Sequence, residues 1–217
     1  MNAPKIKLFY SPGACSLASH IVLEETGAPF ELERVALADG AQRRPEYLAI
    51  NPKGRVPVIA EGDFILTENP AILYYLAQRF PAAQLWPDDL QEAARCAEWL
   101  AWGSSGIHVT YAHVSRPERY TSSETAAGNV KEKAQSACRE TWSMIEARLA
   151  ASKSTWAAGE HYSVADAYLF VFWNWGRGQR LGYDMAHDFP VWTKHARRMG
   201  ERPAVRRALE QEEIALP

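Results

Sequence analysis

The sequence predicts a small α/β domain followed by a larger all-helical domain. Three observations carry this. The first eighty residues alternate short strand-like runs with helical ones. A proline-rich and acidic stretch, Phe80 to Glu92, then breaks the pattern. Beyond it every periodic segment has helical spacing, and no convincing strand appears. The expected division is residues 1–81, a linker at 82–90, and a helical domain at 91–217.

The first strand is Ile6 to Tyr10, stopped by Pro12-Gly13. A helix follows over Ser16–Thr26, with Leu17, Ile21 and Val22 on its apolar side, Gly27 as C-cap and Pro29 beyond. Phe30 to Leu37 alternates Phe30, Leu32 and Val35 with Glu31, Glu33 and Arg34, which reads as a half-buried strand. Ala38–Arg44 is a polar loop, and Pro45–Leu48 is at most a short helix. Asn51-Pro52-Lys53-Gly54-Arg55 is dense in turn residues. Val56–Ala60 and Phe64–Leu66 then read as a hairpin about Glu61-Gly62-Asp63. Asn69 is the expected N-cap of the next helix and Pro70 its first residue; Ile72, Leu73 and Leu76 follow, and Pro81 ends it. A strand–helix–strand unit followed by a strand pair and a helix implies a small mixed sheet.

In the second half, helical patterns cover roughly Leu90–Val114, Thr125–Ala150, Val164–Gln179, Val191–Gly200 and Ala204–Glu213, with a break at Ser152–Gly159. Ser163-Val164-Ala165-Asp166 is a capping box with Asp in place of Glu.

Composition excludes several function classes. The formal net charge of −2 over 217 residues argues against nucleic-acid or anionic-membrane partners. The late cluster Arg197, Arg198, Arg202, Arg206 and Arg207 is interleaved with Glu201, Glu210, Glu212 and Glu213, and reads as a solvated helical face. The three cysteines, Cys15, Cys96 and Cys138, show neither pairing nor metal spacing, which fits a reducing compartment and no metal site. The start Met-Asn-Ala-Pro-Lys lacks an apolar leader core, and no run approaches the roughly 20 apolar residues of a membrane span. A cytoplasmic protein is expected.

The chemistry concentrates where the first strand meets the first helix. Cys15 sits at that helix start, where free N–H groups and the helix dipole lower a thiol pKa from ~8.5 into the ~3.5–7.5 range. The plain alternative is a small buried apolar residue. A cis bond at Val56-Pro57 would leave the Val56 main chain free to pair with an extended peptide. Glu68-Asn69-Pro70 adds a helix start suited to a ligand carboxylate. On the long helix, Ser104, Ser105, His108, Tyr111 and Ala112 share one face too polar for core. His20, His113, His161, His187 and His195 carry no such pattern.

Four motifs in order, Tyr-Ser-Pro-Gly-Ala-Cys-Ser-Leu, Ala-Ile-Asn-Pro-Lys-Gly-Arg-Val-Pro, Leu-Thr-Glu-Asn-Pro-Ala-Ile-Leu-Tyr-Tyr-Leu and Tyr-Ser-Val-Ala-Asp-Ala-Tyr-Leu-Phe, resemble the glutathione transferases, closest to the bacterial beta class. The resemblance implies an α/β thioredoxin-like N-terminal domain, an all-α C-terminal domain, and a homodimer with glutathione between the domains as co-substrate. It implies that Cys15 contacts the glutathione sulfur, that Val56 before Pro57 pairs with the cysteinyl backbone, and that Glu68 and Asn69 hold the γ-glutamyl group. Ala14 and Lys53 join this glutathione-binding set. Cys15, His108, Tyr10 and Ser16 form the expected catalytic set, with Ser11 an alternative hydroxyl donor. Trp102, Tyr111 and Trp173 are the candidate wall for a small hydrophobic electrophile, though each also reads as core.

The implied activity is conjugation of the glutathione thiol to such electrophiles, as in detoxification. A thiol–disulfide reductase activity through Cys15 is a further implication; Ala18 excludes a two-cysteine mechanism. The alternatives are a non-enzymatic binding protein on the same fold, or a glutathione-dependent dehalogenase, isomerase or ether-cleaving lyase. The sequence departs from the family pattern at Asn69, where Ser or Gly is usual, at Ala101 for Asn and at Val109 for Lys. Ala38-Asp39-Gly40 also lacks a basic residue, for which Arg43, Arg44, Lys53 or Arg55 are substitutes. Weakened glutathione affinity is the expectation.

Overall fold

Alternation along the first strand sets the architecture. In a computed structural model, which describes residues 5–217, β1 (Ile6–Tyr10) pairs in parallel with β2 (Phe30–Arg34) and antiparallel with β3 (Val58–Glu61). β3 in turn pairs antiparallel with β4 (Phe64–Thr67), giving the sheet order β2-β1-β3-β4. Leu8 lies opposite Leu32 and Ile59, and Phe9 opposite Val58. Ile6, Leu8 and Tyr10 point to one face, where they meet Leu17, Ile21, Ile72 and Leu73 of α1 (Leu17–Thr26) and α3 (Asn69–Arg79). Phe9 points to the other and packs with Val35, Tyr47, Val56 and Val58 beneath α2 (Pro45–Ile50). Residues 1–4, on which the expectation about a leader rests, lie outside the described residues.

The helical half comprises α4 (Leu90–Trp102), α5 (His108–Ser115), α6 (Glu124–Ala151), α7 (Val164–Arg177), α8 (Met185–Asp188), α9 (Pro190–Glu201) and α10 (Pro203–Gln211). α7 is the central element. Its residues from Val164 to Trp173 are all buried, so it is apolar nearly all round, as a helix enclosed by others must be. It packs on α1, as does α10, so that one apolar core runs through both domains. The expected capping box forms: the Ser163 N–H donates to the Asp166 carboxylate at 2.9 Å.

Several elements differ from expectation. The second strand ends at Arg34 rather than Leu37, because Leu37–Asp39 turns as a 3-10 segment. Asn69 is the first residue of α3 and not its cap; that position belongs to Glu68, at φ 74°. The long Leu90–Val114 pattern is interrupted by a π turn, Gly103–Ile107. There Gly103 lies against the Tyr168 ring, which would stand 2.7 Å from a Cβ. α8 has too few residues to show a period. The late charged cluster is not a uniformly solvated face. Arg202 makes a two-pronged bond to Glu25 at 2.6 and 2.9 Å, Arg207 reaches Glu24, and Glu212 is buried at 2% exposure. No described helix is long and apolar enough to cross a membrane.

Candidate active site

The loop Ser11–Ser16 between β1 and α1 is built by turn chemistry and clamped from both domains. Gly13 takes φ 68°, which glycine adopts without steric cost. Its carbonyl accepts from Trp175 Nε1 at 2.9 Å and its N–H donates to the Glu212 carboxylate at 2.9 Å. The Ser16 hydroxyl accepts from the Ser11 N–H at 3.1 Å and donates back to the Ser11 carbonyl at 3.2 Å. The Cys15 carbonyl accepts from Asn69 Nδ2 at 2.7 Å, and Asn69 Oδ1 accepts from the Ser19 hydroxyl at 2.7 Å. Asn69 is therefore a buried brace for the thiol loop, which explains how a residue bulkier than Ser or Gly is accommodated.

This loop forms one wall of a cavity of about 710 Å³ between the domains, within the size range of small-molecule sites. Ser11, Ala14, Cys15, Arg55 and Val56 line it from the sheet domain, and His108, Tyr111, Arg116, Arg119, Trp175 and Arg180 from the helices. The Val56–Pro57 bond is cis. Val56 precedes the ladder, which begins at Val58, and its carbonyl accepts from Cys15 Sγ at 3.3 Å.

The thiol is not activated in this state. Burial pushes Cys15 up to about 12, outweighing the opposing pull of backbone N–H groups and of Arg55. The expectation of a depressed pKa at the helix start is thus overturned. His108 moves the other way, lowered to about 4 by burial and then by Arg55 and Arg119. Its ring meets Trp175 edge-on at 5.0 Å.

This His108 shift predicts a pH effect on stability. Between the ordinary value of 6.5 and about 4 the unfolded chain holds a proton on this residue that the folded chain does not. Stability is therefore expected to fall as pH drops through that window. Chemical denaturation at pH 7 and pH 4.5 checks this: His108→Gln should lose less between the two than the parent, and equal losses would contradict the assignment.

The cavity gathers Ala14, Cys15, Val56, His108 and Tyr111, but other predicted residues stand apart. Ser16 is buried and committed to Ser11. Tyr10 is buried against His20, with ring centres 5.6 Å apart. Pro57 is buried behind Val56. Lys53 pairs with Glu68 at 2.6 Å; both are exposed beside the cavity, with Glu68 close enough to act on Cys15 and His108. Trp102 stacks on Trp99 at 5.3 Å, away from the cavity. Trp173 is core, its Nε1 donating to the Thr193 hydroxyl at 3.0 Å; Trp175, nearly opposite it on the helix, faces the cavity instead. Ser104 and Ser105 both donate to the Ala101 carbonyl, since the π turn rotates them off the His108 face. Among the described residues no cluster of His, Cys, Asp and Glu could hold a metal ion.

A four-stranded thioredoxin-like domain, a helical domain, and a cavity between them at the first strand–helix junction define the two-domain architecture of the glutathione transferases. The family model "Glutathione S-transferase, N-terminal domain" matches residues 4–78, and its C-terminal counterpart matches 109–203. The chain belongs to the glutathione S-transferase family. It is 34% identical to glutathione S-transferase GstA of Escherichia coli O157:H7, over 95% of this chain and 98% of that one. A glutathione transferase homologue from Sulfitobacter, solved with bound glutathione, superposes with a TM-score of 0.89 at 33% identity, covering 97% and 99% of the two chains. The beta-class enzyme of Sphingomonas chungbukensis gives 0.81 at 37% identity, covering 96% and 100%.

Proposed function

We propose that the protein binds glutathione in the interdomain cavity and transfers its thiol to a small electrophile. The single observation that carries this reading is the shared wall of Cys15, the Val56 main chain and His108 beside unpaired arginine charge. The cysteinyl backbone of glutathione lies against Val56, its γ-glutamyl group at the start of α3 beside Glu68, and its glycine carboxylate at Arg55. Arg55 thereby supplies the charge that Ala38 lacks. The cationic wall favours the ionised form of the bound thiol.

Cys15 and His108 assist without exchanging protons with that thiol. A base with a pKa of about 4 is too weak to deprotonate a thiol of ~8.5. A Cys15 thiol held at about 12 stays protonated and donates a hydrogen bond, to the Val56 carbonyl in the free protein and to the glutathione sulfur in the complex. Cys15→Ala is therefore expected to lower kcat by about tenfold, the worth of one hydrogen bond to a charged acceptor, with Cys15→Ser restoring part of it. Complete loss in both variants would make Cys15 the nucleophile.

The reductase reading needs a Cys15 thiolate, which its raised pKa opposes. After treatment with oxidised glutathione at neutral pH, mass spectrometry should find Cys15 unmodified; stoichiometric glutathionylation would restore that reading. A homodimer belongs to the same proposal, since Phe64, Ile65 and Tyr74 stay 45%, 42% and 50% exposed on β4 and α3. Retention on immobilised glutathione together with conjugation of 1-chloro-2,4-dinitrobenzene tests the central activity. A folded protein that does neither would be a binding module on this fold.

A further inference from the structure

The arginines of this chain fall into several groups: some pair with carboxylates, Arg177, Arg198 and Arg206 bond backbone carbonyls, and four line the interdomain cavity. Arg79, Arg139, Arg148, Arg202 and Arg207 each reach a carboxylate, on Glu61, Asp188, Glu98, Glu25 and Glu24. Arg55, Arg116, Arg119 and Arg180 form no ion pair among the described residues, and all four line the interdomain cavity, whose lining holds no Asp or Glu. The crowding has consequences. Burial and the charges of Arg55, Arg116 and Arg43 push Arg119 downward. In a chain of formal net charge −2, such a concentration of one sign is not a by-product of overall basicity.

Glutathione accounts for part of it. Its glycine carboxylate occupies one guanidinium, Arg55 on the sheet-domain wall, and its γ-glutamyl carboxylate goes to the start of α3. Arg116 and Arg119 stand on the opposite wall, just past the end of α5, and Arg180 just past the end of α7. Tyr111 and Trp175 belong to that same wall, stacked at 4.3 Å with 19° between their planes. Burial pushes the Tyr111 phenol upward, and the Arg180 charge opposes it. An aromatic wall beside three guanidiniums with no carboxylate partner among the described residues, Arg116 donating only to the Ser115 carbonyl at 3.3 Å, matches a flat ligand with a negative end.

We propose that the second substrate is an anionic electrophile: a planar aromatic or conjugated molecule bearing a carboxylate, lying against Tyr111 and Trp175 and held by Arg116, Arg119 and Arg180. This rests on the glutathione-transfer reading and names its acceptor class. For an aryl chloride of this kind the glutathione sulfur forms a C–S bond as the C–Cl bond breaks. Chloride leaves with the bonding pair and the thiol proton passes to solvent, so no further reactant is needed.

The test compares 4-chloro-3-nitrobenzoate with its neutral amide, each rate divided by the uncatalysed reaction with glutathione. The expected kcat/KM ratio favours the carboxylate by about tenfold or more, the effect of one charge-assisted hydrogen bond, and shrinks with added salt. In the Arg119→Gln/Arg180→Gln variant the ratio should fall to within about threefold of one. Calorimetry with the two S-aryl glutathione conjugates gives a reading independent of turnover, and the carboxylate conjugate should bind tighter by a similar factor. A wild-type ratio at or below one, or a ratio that the double variant leaves unmoved, overturns the proposal. Failure to bind glutathione at all overturns the transferase reading beneath it; glutathione binding with no charge preference overturns this inference alone.

Discussion

Asp166→Ala is expected to destabilise the protein by about 3–5 kcal/mol, the usual consequence of stripping one partner from a buried charged network. Asp166 is fully buried. Its Oδ1 accepts from the Ala157 N–H at 2.8 Å and pairs with His195 Nε2 at 2.8 Å. Its Oδ2 accepts from the Ser163 N–H at 2.9 Å and the Ser163 hydroxyl at 3.2 Å. Alanine would leave two backbone donors, a hydroxyl and an imidazole in the core with no acceptor. These groups fix the start of α7, the segment before it and α9 together, so the loss would spread through the helical domain. Denaturant unfolding measures it. Asp166→Asn keeps one acceptor oxygen and should fall between the alanine variant and the parent; a loss below about 0.5 kcal/mol in the alanine variant, the size of an ordinary surface change, would contradict the account.

Glu212→Ala should act on stability and function together. Its carboxylate is fully buried, bonded to His20 Nδ1 at 2.8 Å through Oε1 and to the Gly13 N–H at 2.9 Å through Oε2. The other ring nitrogen of His20 meets Gln211 Oε1 at 2.6 Å. The segment after α10 thus holds both α1 and the loop that presents Cys15. Removing the carboxylate orphans a buried histidine and a buried loop N–H, for an expected cost of about 3 kcal/mol. Release of Gly13, two residues before Cys15, should also raise KM for glutathione several-fold in molecules that remain folded. Glu212→Gln, which preserves an acceptor for Gly13, should recover KM better than stability. An alanine variant with parental KM and stability would sink this reading.

Much of the fold was legible because its signals are local. The apolar run of β1 before Pro12-Gly13, the Gly27 stop, Pro70 at a helix start and the Ser163–Asp166 box each act within a few residues, and each appears in the structure. The family motifs pointed to Cys15 and Val56 and the polar helix face to His108, and all three line one cavity. What escaped depends on partners far along the chain. Nothing near Glu212 shows that its carboxylate closes on Gly13, 199 residues away. Asn69 reads as a cap, yet its side chain turns inward to Ser19 and Cys15. The π turn changes the helical period by one residue, so a uniform 100° projection misplaces Ser104 and Ser105. Arg116, Arg119 and Arg180 sit past helix ends, where no periodicity applies.

A crystal structure grown with glutathione would show whether the cavity walled by Cys15, Val56 and His108 is the glutathione site. The cysteinyl backbone is expected to pair with the Val56 main chain, with the sulfur in contact with Cys15 Sγ, the γ-glutamyl group at the start of α3 and the glycine carboxylate on Arg55. Glutathione bound elsewhere, or lying in the cavity with its sulfur turned away from Cys15, would contradict that placement.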